Sequence, residues 1–518
     1  MSRPVFIISA VVIIGFIVFG AVFSDAANAL FTGAQDGATH YFGWFFILVV
    51  NLALVSCVYF AAGRFGDIRL GEQEESPEYG LISWVAMLFS AGIGIGLMYW
   101  AVAEPLFHYA SPPMGEAETV DAASQAMALA FLHWGLHGWA IYALVGLSLA
   151  YFAFRRELPL SIRSTLYPLI GDRIYGPIGH AVDIFAVFGT MFGVVTSLGL
   201  GAMQITSGLN YLTGLPDALW LQLVIIAGIT ALAVVSVTLG LDEGIKRLSR
   251  WNIWLTIALL GFIVVLGPTL FILDSFVENI GNYALGLLSL SFWSEAYTDT
   301  DWQGDWTIFY WAWWIAWSPF VGTFIARISR GRTISEFILG VLLIPTGMLF
   351  FWFTALGGTA IHLEMTGDPG LIQATMDNYG MAIFRLLELF PLSGVITSIV
   401  IVMILIWFVT SSDSGSFVID MLTAGGDVDP PKVQRVFWAT TEGLVAGILL
   451  LAGGLNALQA AAVVAGLPFA VVVFFIVYAL YRGLSRDDLI LYRTKQRYET
   501  DAEAHAAMAE ETADEKSE

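Results

Sequence analysis

The stretch Ser90-Ala91-Gly92-Ile93-Gly94-Ile95-Gly96-Leu97-Met98-Tyr99-Trp100 sets three glycines at alternate positions within an apolar run, and its reading decides the fold. Gly92 and Gly96 stand four apart, the spacing that lets two membrane helices approach closely, whereas Gly94 falls on the opposite face. Each glycine also weakens a helix by about 1 kcal/mol. A local break is therefore the second reading. Broken backbone at membrane depth is tolerated only where it lines a site for substrate or ions.

Outward from this stretch, apolar runs of about 20 residues, the length that crosses the hydrocarbon core as a helix, recur near 4–24, 42–62, 82–103, 127–154, 182–212, 218–240, 251–275, 305–327, 335–361, 391–422, 433–453 and 456–481. The expected protein is all-α and integral to the membrane, with twelve spans. Composition agrees: 58% of the 518 residues are hydrophobic and 13% are charged, against roughly 25% charged in soluble chains. A nucleic-acid binder, a disordered scaffold and a secreted disulfide framework are excluded. Cys57 is the sole cysteine and has no partner for a bridge. The net charge of −21 lies largely in loops and in the end of the chain, where Tyr498 to Glu518 carries eight acids against Lys516 and reads as a solvated tail.

Lysine and arginine orient the spans, because cytoplasmic loops retain them. Of the 22 in the chain, only Arg385 falls outside the alternate loops that follow even-numbered spans or precede the first. Both termini are therefore expected in the cytoplasm. The regions 276–304 and 363–390 mix acids with Phe, Trp and Leu and read as interfacial helices, an ordinary loop being equally open for the second.

Aromatics inside the spans carry the chemistry. At 100° per residue Trp134, Trp139 and Tyr142 of span four fit one arc and can face one cavity. Tyr310, Trp313, Trp314 and Trp317 follow the spacing of one helical face. Interfacial belts explain Trp311 well and Tyr310 fairly, but Trp139, Trp314 and Trp317 lie near mid-span, where a belt does not. A quaternary ammonium ion has no N–H to donate, so indole faces suit it better than a carboxylate does, at about 0.5–2 kcal/mol per contact. Amides freed at Gly92–Gly96 would suit an accompanying carboxylate. Span ten ends Thr410-Ser411-Ser412-Asp413-Ser414, hydroxyls that either bind an alkali cation or bond back to the helix. His133 and His137 stand one turn apart with no third ligand near in sequence, which favours packing over a metal site. No phosphate-binding loop of the Gly-x-x-x-x-Gly-Lys-Ser/Thr type occurs.

Together Ala91-Gly92-Ile93-Gly94-Ile95-Gly96-Leu97-Met98, Ala103-Glu104-Pro105, His133-Trp134-Gly135 to Tyr142, and Tyr310-Trp311-Ala312-Trp313-Trp314-Ile315-Ala316-Trp317-Ser318-Pro319 running into Arg327-Ile328-Ser329-Arg330-Gly331-Arg332-Thr333 resemble the betaine/choline/carnitine transporter family over about residues 4–482. The resemblance implies a bacterial cytoplasmic-membrane symporter, not an enzyme, that uses no cofactor beyond sodium as coupling ion. It implies a homotrimer with a LeuT-type pair of inverted five-helix repeats: residues 1–81 add two spans, 82–275 and 305–481 form the repeats, 276–304 lies between them, and 482–518 is the tail. By similarity Trp134, Trp139, Tyr142 and Trp314 box the onium group, Trp313 and Trp317 line the route, and Gly92, Gly94 and Gly96 form the unwound segment. Sodium falls to Ser90, Ile93, Thr410 and Ser411, and less securely to Thr190, because Val194 occupies the next turn. Gly96 stands where proton-coupled choline carriers tend to show Asp. Val321 and Ile253 stand where sodium-independent carnitine exchangers show Met and Arg. Both favour sodium-driven uptake of a zwitterion such as glycine betaine, with dimethylsulfoniopropionate equally compatible. The basic carboxyl-terminal helix of osmosensing members shrinks here to Arg482–Arg497, so weak or differently built osmotic activation is expected. A channel and a membrane metalloenzyme are the disfavoured alternatives.

Overall fold

The computed structural model describes residues 2–514 apart from 93, 240, 241, 299, 368 and 428, with side chains described except at 89, 91, 92, 242, 243, 245, 246, 488 and 490–514. Among these, ordered structure is helical apart from a single bridge between Arg69 and Thr333. The helices are α1 (Arg3–Val22), α2 (Ser24–Ala62), α3 (Leu81–Gly92), α4 (Ile95–Ala110), α5 (Val120–Trp134), α6 (Leu136–Ala150), α7 (Tyr167–Ile170), α8 (Pro177–Thr213), α9 (Leu219–Leu239), α10 (Asp242–Leu266), α11 (Thr269–Ser291), α12 (Phe309–Ile328), α13 (Ile334–Phe353), α14 (Thr359–Gly367), α15 (Leu371–Asp377), α16 (Ala382–Glu388), α17 (Ser393–Thr423), α18 (Lys432–Gly453) and α19 (Leu455–Asp514).

Among the described residues, ten helical segments are long and apolar enough to cross a membrane: α1, α2, α5 with α6, α8, α9, part of α10, α13 with α14, α17, α18 and the first half of α19. They coincide with ten of the twelve runs read from the sequence. The other two runs are the glycine stretch, divided between α3 and α4, and α12, whose tryptophans lower its hydropathy. At ~1.5 Å per residue α2 is about 58 Å long, well beyond the hydrocarbon core, so its first turns extend past the expected span at 42–62. A proline also moves a boundary. Pro268 separates α10 from α11, so α11 starts within the expected seventh span and ends inside the 276–304 region. It presents Leu270, Leu273, Val277, Leu285 and Leu288 outward.

An inner group of helices is enclosed by an outer one. In an apolar 18-residue stretch of each, 89% of the residues are buried in the α5–α6 segment and 83% in α8, against 28% in α1 and 22% in α10. At the centre stands α12, reached by three other helices through glycine. A Cβ on Gly146 of α6 would lie 3.1 Å from the Gly322 carbonyl oxygen, one on Gly189 of α8 3.1 Å from that of Ala316, and one on Gly466 of α19 2.7 Å from that of Ala312. Small residues at these crossings bring backbones into contact, the membrane substitute for a hydrophobic driving force. Cys57 of α2 is fully buried, its sulfur 3.6 Å from the Ala140 carbonyl of α6.

The basic loops meet at one end of the bundle. Arg155 after α6 donates to the carbonyls of Arg69 and Gly71 and pairs with Asp487 of α19 at 2.7 Å, while Arg69 donates to the Gly331 carbonyl beyond α12. Ser2 N donates to the Thr423 carbonyl at the end of α17. The N-terminus, the loops after the second, fourth, eighth and tenth expected spans and the end of the twelfth thus share one face.

Candidate functional site

The glycine stretch is a helix break. After α3 closes at Gly92, Gly94 is extended (φ −162°, ψ −175°) and caps α4 with no side-chain hydrogen bond. At Gly96 the chain also approaches α12 closely, because a Cβ there would stand 2.4 Å from Cη2 of Trp313. The first amides of α4 are consequently left without an intrahelical acceptor and carry the positive end of a helix dipole. Ile93 lies outside the described residues.

Span four is interrupted too. Gly135 (φ −95°, ψ −135°) separates α5 from α6, and a Cβ there would meet Phe350 at 2.7 Å. The single arc expected for Trp134, Trp139 and Tyr142 therefore holds only for the last two. Trp134 ends α5 and reaches the same cavity because the chain bends after it. Its ring meets Trp314 edge-on at 5.0 Å; Trp139 meets Tyr142 at 5.4 Å, and Tyr142 meets Trp314 at 6.2 Å, each also near-perpendicular. Trp313 stacks on Trp314 at 5.0 Å, and its indole N–H donates to the Gly193 carbonyl at 3.2 Å.

These rings line a cavity of about 270 Å³, close to the lower end of the ~300–1,000 Å³ usual for small-ligand sites. Ser90, Gly94, Gly96, Trp134, Trp139, Tyr142, Trp313, Trp314, Trp317, Thr410 and Ser411, all expected at the site, lie in its wall, and so do Ile253 and Val321. One expected residue does not: Thr190 is buried in α8 with its hydroxyl unpartnered. Gly92 closes α3, and its place relative to the wall lies outside the described residues. Val194, a turn further along α8, packs toward Gly415 of α17. Thr410 donates its hydroxyl proton to the Trp407 carbonyl at 3.1 Å, which leaves the oxygen lone pairs free to meet a cation.

The belt expectation fails at two positions. Tyr310 and Trp311 are fully buried, with Trp311 stacked on His137 at 5.3 Å. Burial by neighbouring helices, invisible to hydropathy, overrides the position of these residues near a span end.

Sequence reasoning gave Glu104 no role. It lies inside α4, fully buried, with Oε2 accepting the Trp134 indole N–H at 2.7 Å and Oε1 2.6 Å from His133 Nδ1. His108 Nε2, 3.6 Å from Oε1, makes it a group of three residues with metal-ligating atoms. Ligand atoms around a tetrahedral ion with bonds of ~2.1 Å stand ~3.4 Å apart. The 2.6 Å contact is thus a hydrogen bond. His133 and His137, paired in the sequence, part company here: His137 packs against Trp311 with neither ring nitrogen bonded. Glu442 of α18 is a second buried acid that went unread; its Oε2 accepts from the Ser412 hydroxyl at 3.2 Å. The available signal was an acidic side chain in an apolar span, which is rare in membranes and marks function.

The model of the family described as betaine/carnitine/choline family transporter matches residues 4–489. A glycine betaine transporter of Acinetobacter baylyi is 46% identical over 488 residues, covering 94% of this chain and 74% of the relative. The glycine betaine transporter OpuD of Bacillus subtilis is 45% identical over 477 residues, 91% of this chain and 92% of the relative. A Na+-coupled sialic acid symporter, solved substrate-bound and outward-open, aligns at a TM-score of 0.41 and 16% identity over 80% of each chain. A match running from residue 4 to residue 489 takes in every helix around the cavity, and this chain belongs to the betaine/carnitine/choline family, membrane transporters rather than enzymes.

Proposed function

We propose that the protein accumulates a methylated onium zwitterion, glycine betaine foremost, by sodium symport with alternating access across a bacterial cytoplasmic membrane. The observation that carries this reading is the convergence on one small cavity of four aromatic rings and the uncapped N-terminus of α4. Indole and phenol faces attract a donor-free cation at about 0.5–2 kcal/mol each. Helix amides at a break attract a carboxylate. A zwitterion with its two charges a short distance apart answers both at once, and a sulfonium such as dimethylsulfoniopropionate answers them equally.

Gly96 supports a zwitterion over choline, because any side chain there meets Trp313. Sodium coupling is supported by the hydroxyls of Thr410 and Ser411 and the presence of Ser90 in the same wall. Thr190 stays outside this proposed set. The wider reading comprises twelve spans in a LeuT-type inverted repeat (82–275 and 305–481), two added spans, cytoplasmic termini and a homotrimer. It rests on the family resemblance together with the shared face of the basic loops.

The test is uptake of radiolabelled glycine betaine into proteoliposomes under sodium, potassium or proton gradients. Accumulation with sodium alone is expected. Equal uptake in all three rejects the coupling, and no uptake in any rejects the substrate.

A further inference from the structure

We propose that Glu104 is a positioning residue for the aromatic box, its carboxylate fixing the indole of Trp134 and, through His133, linking that indole to the helix that carries Trp314. The inference rests on the box reading above and extends it to residues that do not touch the ligand cavity.

Hydrogen-bond chemistry sets the directions. An indole nitrogen can only donate, so Glu104 Oε2 accepts from Trp134 at 2.7 Å. The other oxygen faces His133 Nδ1 at 2.6 Å, and His133 Nε2 faces the Thr307 hydroxyl at 3.0 Å. A carboxylate accepts, so Nδ1 carries the ring proton and Nε2 accepts from Thr307. Thr307 lies in the wide turn Gly304–Ile308 that leads directly into α12. The main chain of His133 completes the frame, its carbonyl accepting the Trp314 indole N–H at 2.7 Å. Two box rings from different helices are therefore bonded to one pair of buried residues.

Burial makes the arrangement rigid. Glu104 and His133 are fully buried and Thr307 nearly so, so no water competes for these bonds, and charge-assisted hydrogen bonds are the strong ones. Glu104 also shares α4 with the amides that begin at Ile95, nine residues or ~14 Å of continuous helix away. One rigid element thus holds both the amides proposed for the ligand carboxylate and the acceptor that orients a ring for its onium group.

The experiment is a double-mutant cycle in sodium-driven glycine betaine uptake, with Glu104→Ala, Trp134→Phe and the pair together. Phe keeps an aromatic face but has no N–H. Glu104→Ala is expected to raise KM by about tenfold or more. The double variant is expected to be no worse than Glu104→Ala by more than about twofold, because both changes remove one interaction. Glu104→Gln, which retains an acceptor oxygen for the indole, is expected to restore most of the affinity. If Glu104→Ala fails to fold, Glu104→Leu, which fills the space without an acceptor oxygen, takes its place in the cycle with Trp134→Phe, read by quenching of tryptophan fluorescence on betaine addition. Wild-type KM in Glu104→Ala, or multiplicative losses in the double variant, overturns the positioning role alone. Absence of betaine uptake by the unmodified protein instead rejects the function reading, and this role with it.

Discussion

Replacing Trp314 by leucine removes the ring common to most contacts of the box. In the structure it meets Trp134 at 5.0 Å, Tyr142 at 6.2 Å and Trp313 at 5.0 Å. Leucine keeps an apolar side chain there but removes the negative π-face, so the loss for a bound cation is one desolvated cation–π contact, ~1–2 kcal/mol. That corresponds to an increase in KM of about 5- to 30-fold. Trp314→Phe retains a π-face and loses only the hydrogen bond to the His133 carbonyl, 2.7 Å long. Its cost falls mainly on stability, at about 1 kcal/mol, with a smaller change in KM. The assay is initial-rate uptake of labelled glycine betaine into proteoliposomes, with 3,3-dimethylbutanoate, an uncharged-headgroup analogue, as competitor. Its tertiary-butyl group has the shape of the ammonium without the charge. The preference for betaine over this analogue should shrink in Trp314→Leu and persist in Trp314→Phe. Wild-type KM in Trp314→Leu, or an equal loss for both ligands, would refute cation–π recognition at this ring.

Three further outcomes follow from the packing. Gly96→Asp should abolish betaine uptake even under a proton gradient, since its Cβ would overlap Trp313 at 2.4 Å; retained uptake at wild-type KM shows that the indole can move aside. Thr410→Ala combined with Ser411→Ala should raise the sodium concentration for half-maximal uptake by about tenfold, as lost cation oxygens weaken binding by ~1–2 kcal/mol; sodium titration of uptake checks this, and an unchanged midpoint removes these hydroxyls from the cation site. Asp487→Asn should lower the melting temperature in detergent while leaving KM unchanged, because it strands Arg155 and Arg156, each 2.7 Å from the carboxylate. With partly exposed arginines the expected destabilisation is ~1–3 kcal/mol, below the ~3–5 kcal/mol of a fully buried pair.

Periodicity and composition made the spans, the glycine break and the cavity aromatics legible, because each of these is a local property of its own helix. Ser90, Gly94, Gly96 and six of the aromatics sit in one wall although they come from α3, α4, α5, α6 and α12. What escaped the sequence depends on partners far along the chain. Tyr310 and Trp311 look interfacial until neighbouring helices bury them. Gly135 could sit within a continuous helix, and besides the local Phe131 carbonyl it is Phe350, 215 positions away, that takes the space where its Cβ would go. Glu104 and Thr307 meet through His133 across a separation that no spacing rule reaches. Thr190 was expected only through the family resemblance, and its buried hydroxyl is not among the residues of the cavity wall.

The isolation of Cys57 turns the natural sequence into its own labelling background. With its sulfur enclosed between α2 and α6, a membrane-impermeant maleimide has no native target, and a thiol introduced at Ser414 or Phe324 would be the first one open to reaction. Applying the reagent from either side of a vesicle, with and without sodium, would then report which side of the membrane the cavity opens to.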